Sequence, residues 1–466
     1  MVRCRLKGSL SVFLLFMLGA CGSHLPNLPS EMPFMHRITQ ADEIKAGRQF
    51  RREAKDKLKF VHRPEIERYV NEVGQRILSV MGPQPFEYRF FVVEDSQVNA
   101  FAIPGGSIYV FSGLIERVTS TDELASVLGH EIIHVKAHHM ARMSGPNVTS
   151  LLGILGFFLT ASGSQAAGVL SQAVAATNQL SYTRKLEQEA DAGGVKNMSA
   201  AGYDPNAALG FLNIIDQERT LNPVDVPPFL LTHPLSQERL NRMEAVIRSF
   251  RLERPHLGRP DGIKRIQTML VLEKQDPEAV LEKLKKSYGQ SPKSAESMHL
   301  FGLARYRKGD WGPARNYYEQ ARRINPKCPG IDRDLGRLYT KTGEFRLAHA
   351  AFERSVKASP NNSLNYLYLG ELFEKESNLP QAVGAYLRAH NLSPLWPEPP
   401  RRMGVIYGKM DRMADAFYYS ARSHLLSDED EKAKADLRQA LSLYGKASPR
   451  GQMVKEELEV IKARDN

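Results

Sequence analysis

Apolar residues recur at three- and four-residue intervals from Pro64: Ile66, Tyr69, Val70, Val73, Ile77 and Leu78 share one helical face. Pro64 suits the first turn of that helix, and Gly82-Pro83 stops it. Upstream, 41–58 is charged and helical in pattern. Downstream, 86–93 alternates as a strand, and 99–115 reads as two apolar strands around the turn Pro104-Gly105-Gly106. In the next segment Leu124, Ala125, Val127, Leu128, Ile132, Ile133 and Val135 make the helix apolar on most sides, which predicts burial. Ser120 with Glu123 three residues later predicts a capping box at its start. The stretch 143–183 carries no charge; 151–159 is strongly apolar, and 160–176 is rich in Ala, Gly and Ser. Glycine breaks it too often for a membrane span. A pair of buried helices covering a site is the plainer reading, and a lid or membrane-contacting segment the functional one.

Beyond residue 260 the pattern changes to a period of 34. Gly302, Gly336, Gly370 and Gly404 superpose; so do Ala314, Ala348, Ala382 and Ala416, and Pro292, Pro326, Pro360 and Pro394. Gly309 and Gly343 fall between paired helices, and Tyr318, Phe352 and Tyr386 share a slot. This period with small, aromatic and proline slots resembles the tetratricopeptide repeat. Three units are clear, a fourth surrounds Gly404, and degenerate helical units are expected at 264–292 and 431–461. Such arrays offer a concave surface to extended partners.

Length and composition fit an ordinary globular chain of two to four domains, 42% apolar and 25% charged. The net charge is +11; from Ile263 onward 35 basic residues oppose 26 acidic ones, so +9 lies in the repeats. A basic surface suits acidic protein segments or anionic lipid. A nucleic-acid role would need a reading motif as well, and none is found. At the start, Arg3, Arg5 and Lys7 precede an apolar run over 9–20, too short to span a bilayer, and then Leu18-Gly19-Ala20-Cys21. This resembles a bacterial lipobox, which implies a signal peptide over 1–20, lipidation of Cys21 and, with Gly22 following, an outer-membrane anchor. Pro26, Pro29 and Pro33 make 21–34 a tether. If Cys21 is acylated, Cys328 has no cysteine partner in the mature chain.

The candidate chemistry centres on Gly129-His130-Glu131-Ile132-Ile133-His134. Histidines four apart fall on one helix face, so His130 and His134 can reach one metal ion, and Glu131 sits beside them. This is the H-E-x-x-H arrangement of zinc peptidases, in which the metal acidifies water and the glutamate takes its proton. In a buried helix these polar groups need partners. A catalytic zinc needs a third protein ligand. Glu187 and Asp191 share a helix face and fit a zinc ligand with a supporting carboxylate; from chemistry alone Glu189 competes with Glu187. Peptidases of this kind pair an extended substrate with an edge strand. The strand around Ile108 and Tyr109 is the expected substrate-binding edge, a plain core hairpin being the alternative.

Ala-x-Val-Leu-Gly-His-Glu-x-x-His-Val, then Glu-x-x-x-Asp-x-x-Gly over 187–194, with Asn-Ala-Phe-Ala-x-Pro-Gly-Gly upstream, resembles the gluzincin family of HtpX-type and CAAX prenyl endopeptidase-like metallopeptidases. The resemblance implies one zinc per chain, held by His130, His134 and Glu187, with Glu131 as general base and Asp191 in support. His139 matches a recurrent family histidine without an assigned role. The segment Thr232-His233-Pro234-Leu235 also matches. His233 is either a stabiliser of the oxyanion or, as in soluble periplasmic members, an inhibitory fourth ligand. The expected fold is an α+β zincin-like metallopeptidase domain over 35–260, followed by an all-α repeat solenoid over 261–466. Catalytic domain, basic repeats and lipobox together resemble the periplasmic beta-barrel assembly-enhancing protease family. That implies a periplasmic, membrane-anchored endopeptidase acting on unfolded or misassembled outer-membrane proteins, with repeats that dock on the β-barrel assembly machinery. A repeat-based assembly chaperone with a latent or structural zinc site is the alternative.

Overall fold

The computed structural model describes residues 38–144, 183–221, 227–249, 262–328 and 330–465. The signal peptide, the tether, Cys21 and most of the uncharged stretch 143–183 lie outside the described residues. No helix among them is long and apolar enough to cross a membrane.

Helix α1 (Gln40–Lys57) starts on a reciprocal capping box: Thr39 Oγ1 accepts from the Asp42 N–H and the Asp42 carboxylate accepts from the Thr39 N–H. Helix α2 (Pro64–Leu78) has Pro64 in its first turn and buries Ile66, Val70, Val73, Ile77 and Leu78. Three strands follow, β1 (Arg89–Val93), β2 (Ala100–Ile103) and β3 (Ser107–Phe111), arranged β1-β3-β2 with β1 parallel and β2 antiparallel to β3. The period-two pleat sorts their side chains. Phe91, Phe101, Ile103, Tyr109 and Phe111 pack with Ala46, Phe50 and Ala54 of α1. Phe90, Val92, Ala100, Ala102, Ile108 and Val110 face the core shared with α2 and with α4 (Thr121–Lys136), which follows the short α3 (Ser112–Arg117). The β2–β3 turn needs its glycines: Gly105 and Gly106 have φ of +79° and +100°, and a Cβ on Gly106 would lie 2.3 Å from the Glu87 carbonyl oxygen.

This arrangement corrects the expected substrate edge. Ile108 and Tyr109 lie in the central strand and are fully buried, with β1 on one side and β2 on the other. Tyr109 stacks between Phe91 and Phe101, each at 5.0 Å. Neither residue can offer backbone to a substrate. The outer strands are β1 and β2, and β1 is met on its outer side by Phe60 and Val61.

After α5 (His139–Ser144) come α6 (Arg184–Ala200), α7 (Ala207–Leu221), α8 (Pro228–Thr232) and α9 (Gln237–Ser249). The remainder is helical pairs: α10 (Ile263–Lys274) with α11 (Pro277–Tyr288), α12 (Ala295–Lys308) with α13 (Trp311–Ile324), α14 (Ile331–Thr342) with α15 (Phe345–Ala358), α16 (Ser363–Lys375) with α17 (Leu379–Leu392), α18 (Glu398–Lys409) with α19 (Met413–Leu426), and α20 (Asp430–Tyr444) with α21 (Pro449–Asp465). The glycine and aromatic slots turn out to be one contact. A Cβ on Gly302, Gly336 or Gly370 would lie 2.4, 2.8 or 2.5 Å from the ring of Tyr318, Phe352 or Tyr386 sixteen residues on. The fourth unit has Ser420 in that slot, and Gly404 packs against the backbone of α19 instead.

Helix α2 lies against α10 and α16 of the repeats, and α3 lies against α10. Arg337 of α14 pairs with Glu65, Arg68 lies 5.7 Å over Trp396, and Gln267 of α10 donates to the carbonyls of Ile115 and Val118 at 2.9 and 2.7 Å. At the far end, Asp428 in the α19–α20 turn receives both Nε and Nη2 of Arg51 at 2.8 Å. One hydrophobic core runs from α2 through the repeats to Ala416.

Candidate metal centre

Helix α4 positions the first two candidate ligands. Ser120 caps it by accepting the Glu123 N–H, as expected, but the Glu123 carboxylate turns to Thr119 and takes its N–H and hydroxyl. Everything from Glu123 to Val135 is buried. Helix α6 crosses α4 almost backbone to backbone: a Cβ on Gly194 would lie 2.9 Å from the His130 nitrogen. That approach brings Glu187 and Asp191 against the His130–His134 face. Residue His233 enters from the end of α8, its ring stacked on Phe229 at 4.6 Å.

Among the described residues, His130, His134, Glu187 and His233 form the one group able to hold a metal ion, with candidate ligand atoms within 4.8 Å of one another and all four side chains buried. His134 Nε2 lies 2.9 Å from His130 Nε2, His130 Nε2 3.2 Å from His233 Nδ1, and His233 Nδ1 2.8 Å from Glu187 Oε1. Glu187 oxygens are 3.4 Å from His134 Nε2 and 3.6 Å from His130 Nε2. Ligand atoms around a tetrahedral zinc with bonds of about 2.0–2.2 Å lie about 3.3–3.6 Å apart. The cluster's spacings of 2.8–3.6 Å match that range or fall a little inside it, and a set of imidazoles and one carboxylate suits zinc.

Against the effect of burial, Glu187 and Asp191 push the His130 imidazole up, which marks the cluster as a place for positive charge. Burial opposes ionisation of Glu187, but His233, His130 and Arg239 hold its carboxyl well below the usual carboxylate range. Burial pushes the His134 imidazole well below its usual range, so it is neutral. Asp191, 3.0 Å from His130 Nδ1, is also held low despite burial, by Arg239 and His130. Glu131 is fully buried; burial pushes its carboxyl up, opposed by His233 and His130. Its Oε1 lies 3.4 Å from His233 Nε2, and it is outside the four-residue group.

Glu189, the competing carboxylate, points away from the cluster to Arg142 at 3.1 Å and His139 at 3.4 Å. Ile108 and Tyr109 are in the sheet core and outside the four-residue group. Two residues of the site were given no role by sequence reasoning. Arg239 of α9 donates to both oxygens of Asp191 at 2.8 Å and lies 2.7 Å from Glu187 Oε2. Its signal was indirect: two buried carboxylates need a cation, and Arg239 follows His233 by six residues. His139 is wholly buried, with Nδ1 2.9 Å from His134 Nδ1.

Residues 64–247 match Peptidase family M48, and residues 333–394 match a tetratricopeptide repeat. Over 212 residues the chain is 34% identical to the beta-barrel assembly-enhancing protease of Escherichia coli, covering 44% of this chain and 43% of that protein. It is 31% identical over 228 residues to the putative beta-barrel assembly-enhancing protease of Vibrio cholerae, covering 46% and 47%. It is 34% identical over 178 residues to the mitochondrial metalloendopeptidase OMA1 of Schizosaccharomyces pombe, covering 38% and 51%. The chain thus spans about half the length of the curated relatives it matches, or less. It carries a Peptidase family M48 domain of α+β class, followed by an all-α tetratricopeptide-repeat solenoid.

Proposed function

We propose that this chain is a zinc-dependent endopeptidase of the bacterial envelope, dividing into a catalytic part over 35–260 and repeats over 261–466. The observation that carries the reading is the buried group of His130, His134, Glu187 and His233 with Glu131 beside it. His130, His134 and Glu187 would hold the ion. Zinc, when bound, supplies Lewis acidity to water and to the scissile carbonyl. Glu131 takes the proton of the attacking water and passes it to the leaving amine. Asp191 and Arg239 fix the His130 ring and neutralise the buried charge.

The substrate backbone pairs with β2. The Phe111 N–H donates to the Asn99 carbonyl at 3.0 Å, and antiparallel pairs alternate, so 101↔109 and 103↔107 are hydrogen-bonded to β3. Ala100 and Ala102 therefore turn their N–H and C=O groups away from β3, on the side where the Glu131 carboxylate lies by the Ala102 N–H.

Zinc content tests the reading. The unaltered chain is expected to hold one tightly bound zinc, and His134→Ala and Glu187→Ala to lose it. Absence of zinc from the well-folded unaltered chain would sink it.

The repeat-based scaffold with a latent site has one observation in its favour: His233 Nδ1 sits between His130 and Glu187, where a fourth ligand belongs. We read this as a closed state of the enzyme. If the open state holds about 1–10% of the population, His233→Ala raises peptide cleavage about 10- to 100-fold with zinc retained. A fall in kcat with zinc retained would instead assign His233 to stabilising the transition state.

The bacterial relatives are named for enhancing β-barrel assembly, and on that ground we propose unfolded or misassembled outer-membrane proteins as clients and repeats that dock on the assembly machinery. A periplasmic location with a lipid anchor at Cys21 accords with the sequence at 18–21.

A further inference from the structure

His130 and His134 are held by different kinds of partner. His130 Nδ1 meets a carboxylate, Asp191, fixed in turn by Arg239. His134 Nδ1 meets another imidazole, His139 Nδ1, at 2.9 Å. His139 is wholly buried, and its Nε2 lies 3.4 Å from Glu189 Oε2, whose other contact is Arg142 at 3.1 Å. We propose that His139 is the positioning residue for His134, and that His134, His139 and Glu189 form a relay that decides which His134 nitrogen faces the ion. The inference rests on the zinc reading above.

The argument is a count of protons. Two ring nitrogens 2.9 Å apart need one to donate and the other to accept. His134 Nε2 is the atom inside the cluster, so it must be free of a proton to bind a metal. The neutral His134 ring then carries its proton on Nδ1 and donates it to His139 Nδ1. His139 then keeps its own proton on Nε2, the nitrogen that lies 3.4 Å from the Glu189 carboxylate. In the opposite sense His139 would donate, and the His134 proton would sit on Nε2, 2.9 Å from His130 Nε2, where it blocks binding. A carboxylate at the far end of the relay favours the first sense, because it accepts and cannot donate.

The backbone is built to make this contact. On a continuous helix a residue five positions on is rotated by about 140°, so His139 would point away from His134. Helix α4 instead ends at Lys136, and His138 takes a left-handed φ of +54°. Such a conformation is unusual for a non-glycine residue and needs support. The His138 ring supplies it, bonding to the buried Glu43 of α1 and packing edge-on to Phe86 at 5.3 Å. The chain then re-enters α5 with His139 turned back beneath the His134 ring.

Competition with a chelator, on the full chain without its first 20 residues and with Cys21 replaced, measures the effect. His139→Ala is expected to weaken zinc binding about 10- to 100-fold, the usual cost of removing a ligand's hydrogen-bond partner. His139→Asn keeps an acceptor for the His134 N–H and is expected to recover binding to within about fivefold of the unaltered chain. Thermal unfolding of the metal-free forms separates this from a loss of fold. Unchanged zinc affinity in His139→Ala, or equal loss in His139→Ala and His139→Asn, overturns the relay while leaving the zinc reading intact. Failure of the unaltered chain to bind zinc overturns both.

Discussion

Glu131→Gln is expected to lower peptide cleavage by a factor of about 100 to 10,000, the range over which a positioned general base acts, while the chain keeps its zinc. The amide has the shape of the carboxylate and cannot take a proton. Zinc is retained because Glu131 lies outside the group of His130, His134, Glu187 and His233. The fold is retained for a separate reason. Burial pushes the Glu131 carboxyl up, so a charge there is costly, and a neutral amide relieves that cost. The metal-free variant should therefore unfold at the same temperature as its parent or higher. The assay belongs in the His233→Ala background as well as in the unaltered chain, because closure by His233 would hide the effect of Glu131. Cleavage near the parental rate in Glu131→Gln, with zinc bound, would remove Glu131 from the chemistry and favour the scaffold reading.

The parts of this molecule legible from sequence are those set by local periodicity. His130 and His134 share a face because a helix turns every 3.6 residues, and Glu187 and Asp191 do so for the same reason. The repeat is legible because each unit solves one packing problem, an aromatic ring over a glycine, and solves it three times in the same register. What sequence left open is non-local. The hairpin around Pro104 was readable, but whether β3 ended at an edge depended on β1 joining it in parallel from across a crossover, and no residue in 107–111 encodes that. The structure put Ile108 and Tyr109 in the central strand, with β1 and β2 on either side. His139 was visible as a histidine, yet its contact depends on a left-handed His138 that Glu43 and Phe86 support from two other elements. Arg239 was visible as a helical arginine, yet its partners lie 48 and 52 residues away in sequence. The contact of α2 with the repeats, where Glu65 meets Arg337, was not legible either, because the two residues lie 272 positions apart.

Glu65→Gln tests that last contact, and its effect should depend on pH. Glu65 is buried on α2, where Arg337 pairs with it and Arg265 and Arg63 are near. Burial alone would raise its pKa; the three arginines overcome that and hold it at about 2, against an ordinary 4.5. That drop corresponds to about 3 kcal/mol of stabilisation, in keeping with the 3–5 kcal/mol expected when one partner of a buried pair is removed. The sign follows from the direction of the shift. A carboxyl whose folded pKa is lowered stabilises the fold fully above its unfolded pKa, and loses that contribution as pH falls through the folded value. The difference between the unaltered chain and Glu65→Gln should be largest near neutral pH and shrink between about pH 4.5 and pH 2. Urea unfolding at pH 7 and at pH 3 measures it. A difference of the same size at both values would mean that Glu65 contributes shape and not charge. Arg337 also lies 4.4 Å over the Tyr368 ring and 3.4 Å from Asp334, so it is not left bare when Glu65 is neutralised. The loss should therefore fall at the lower end of the range. It should fall on the junction of α2 with the repeats, because α14 and α16 hold Arg337 and Tyr368 while α2 alone holds Glu65.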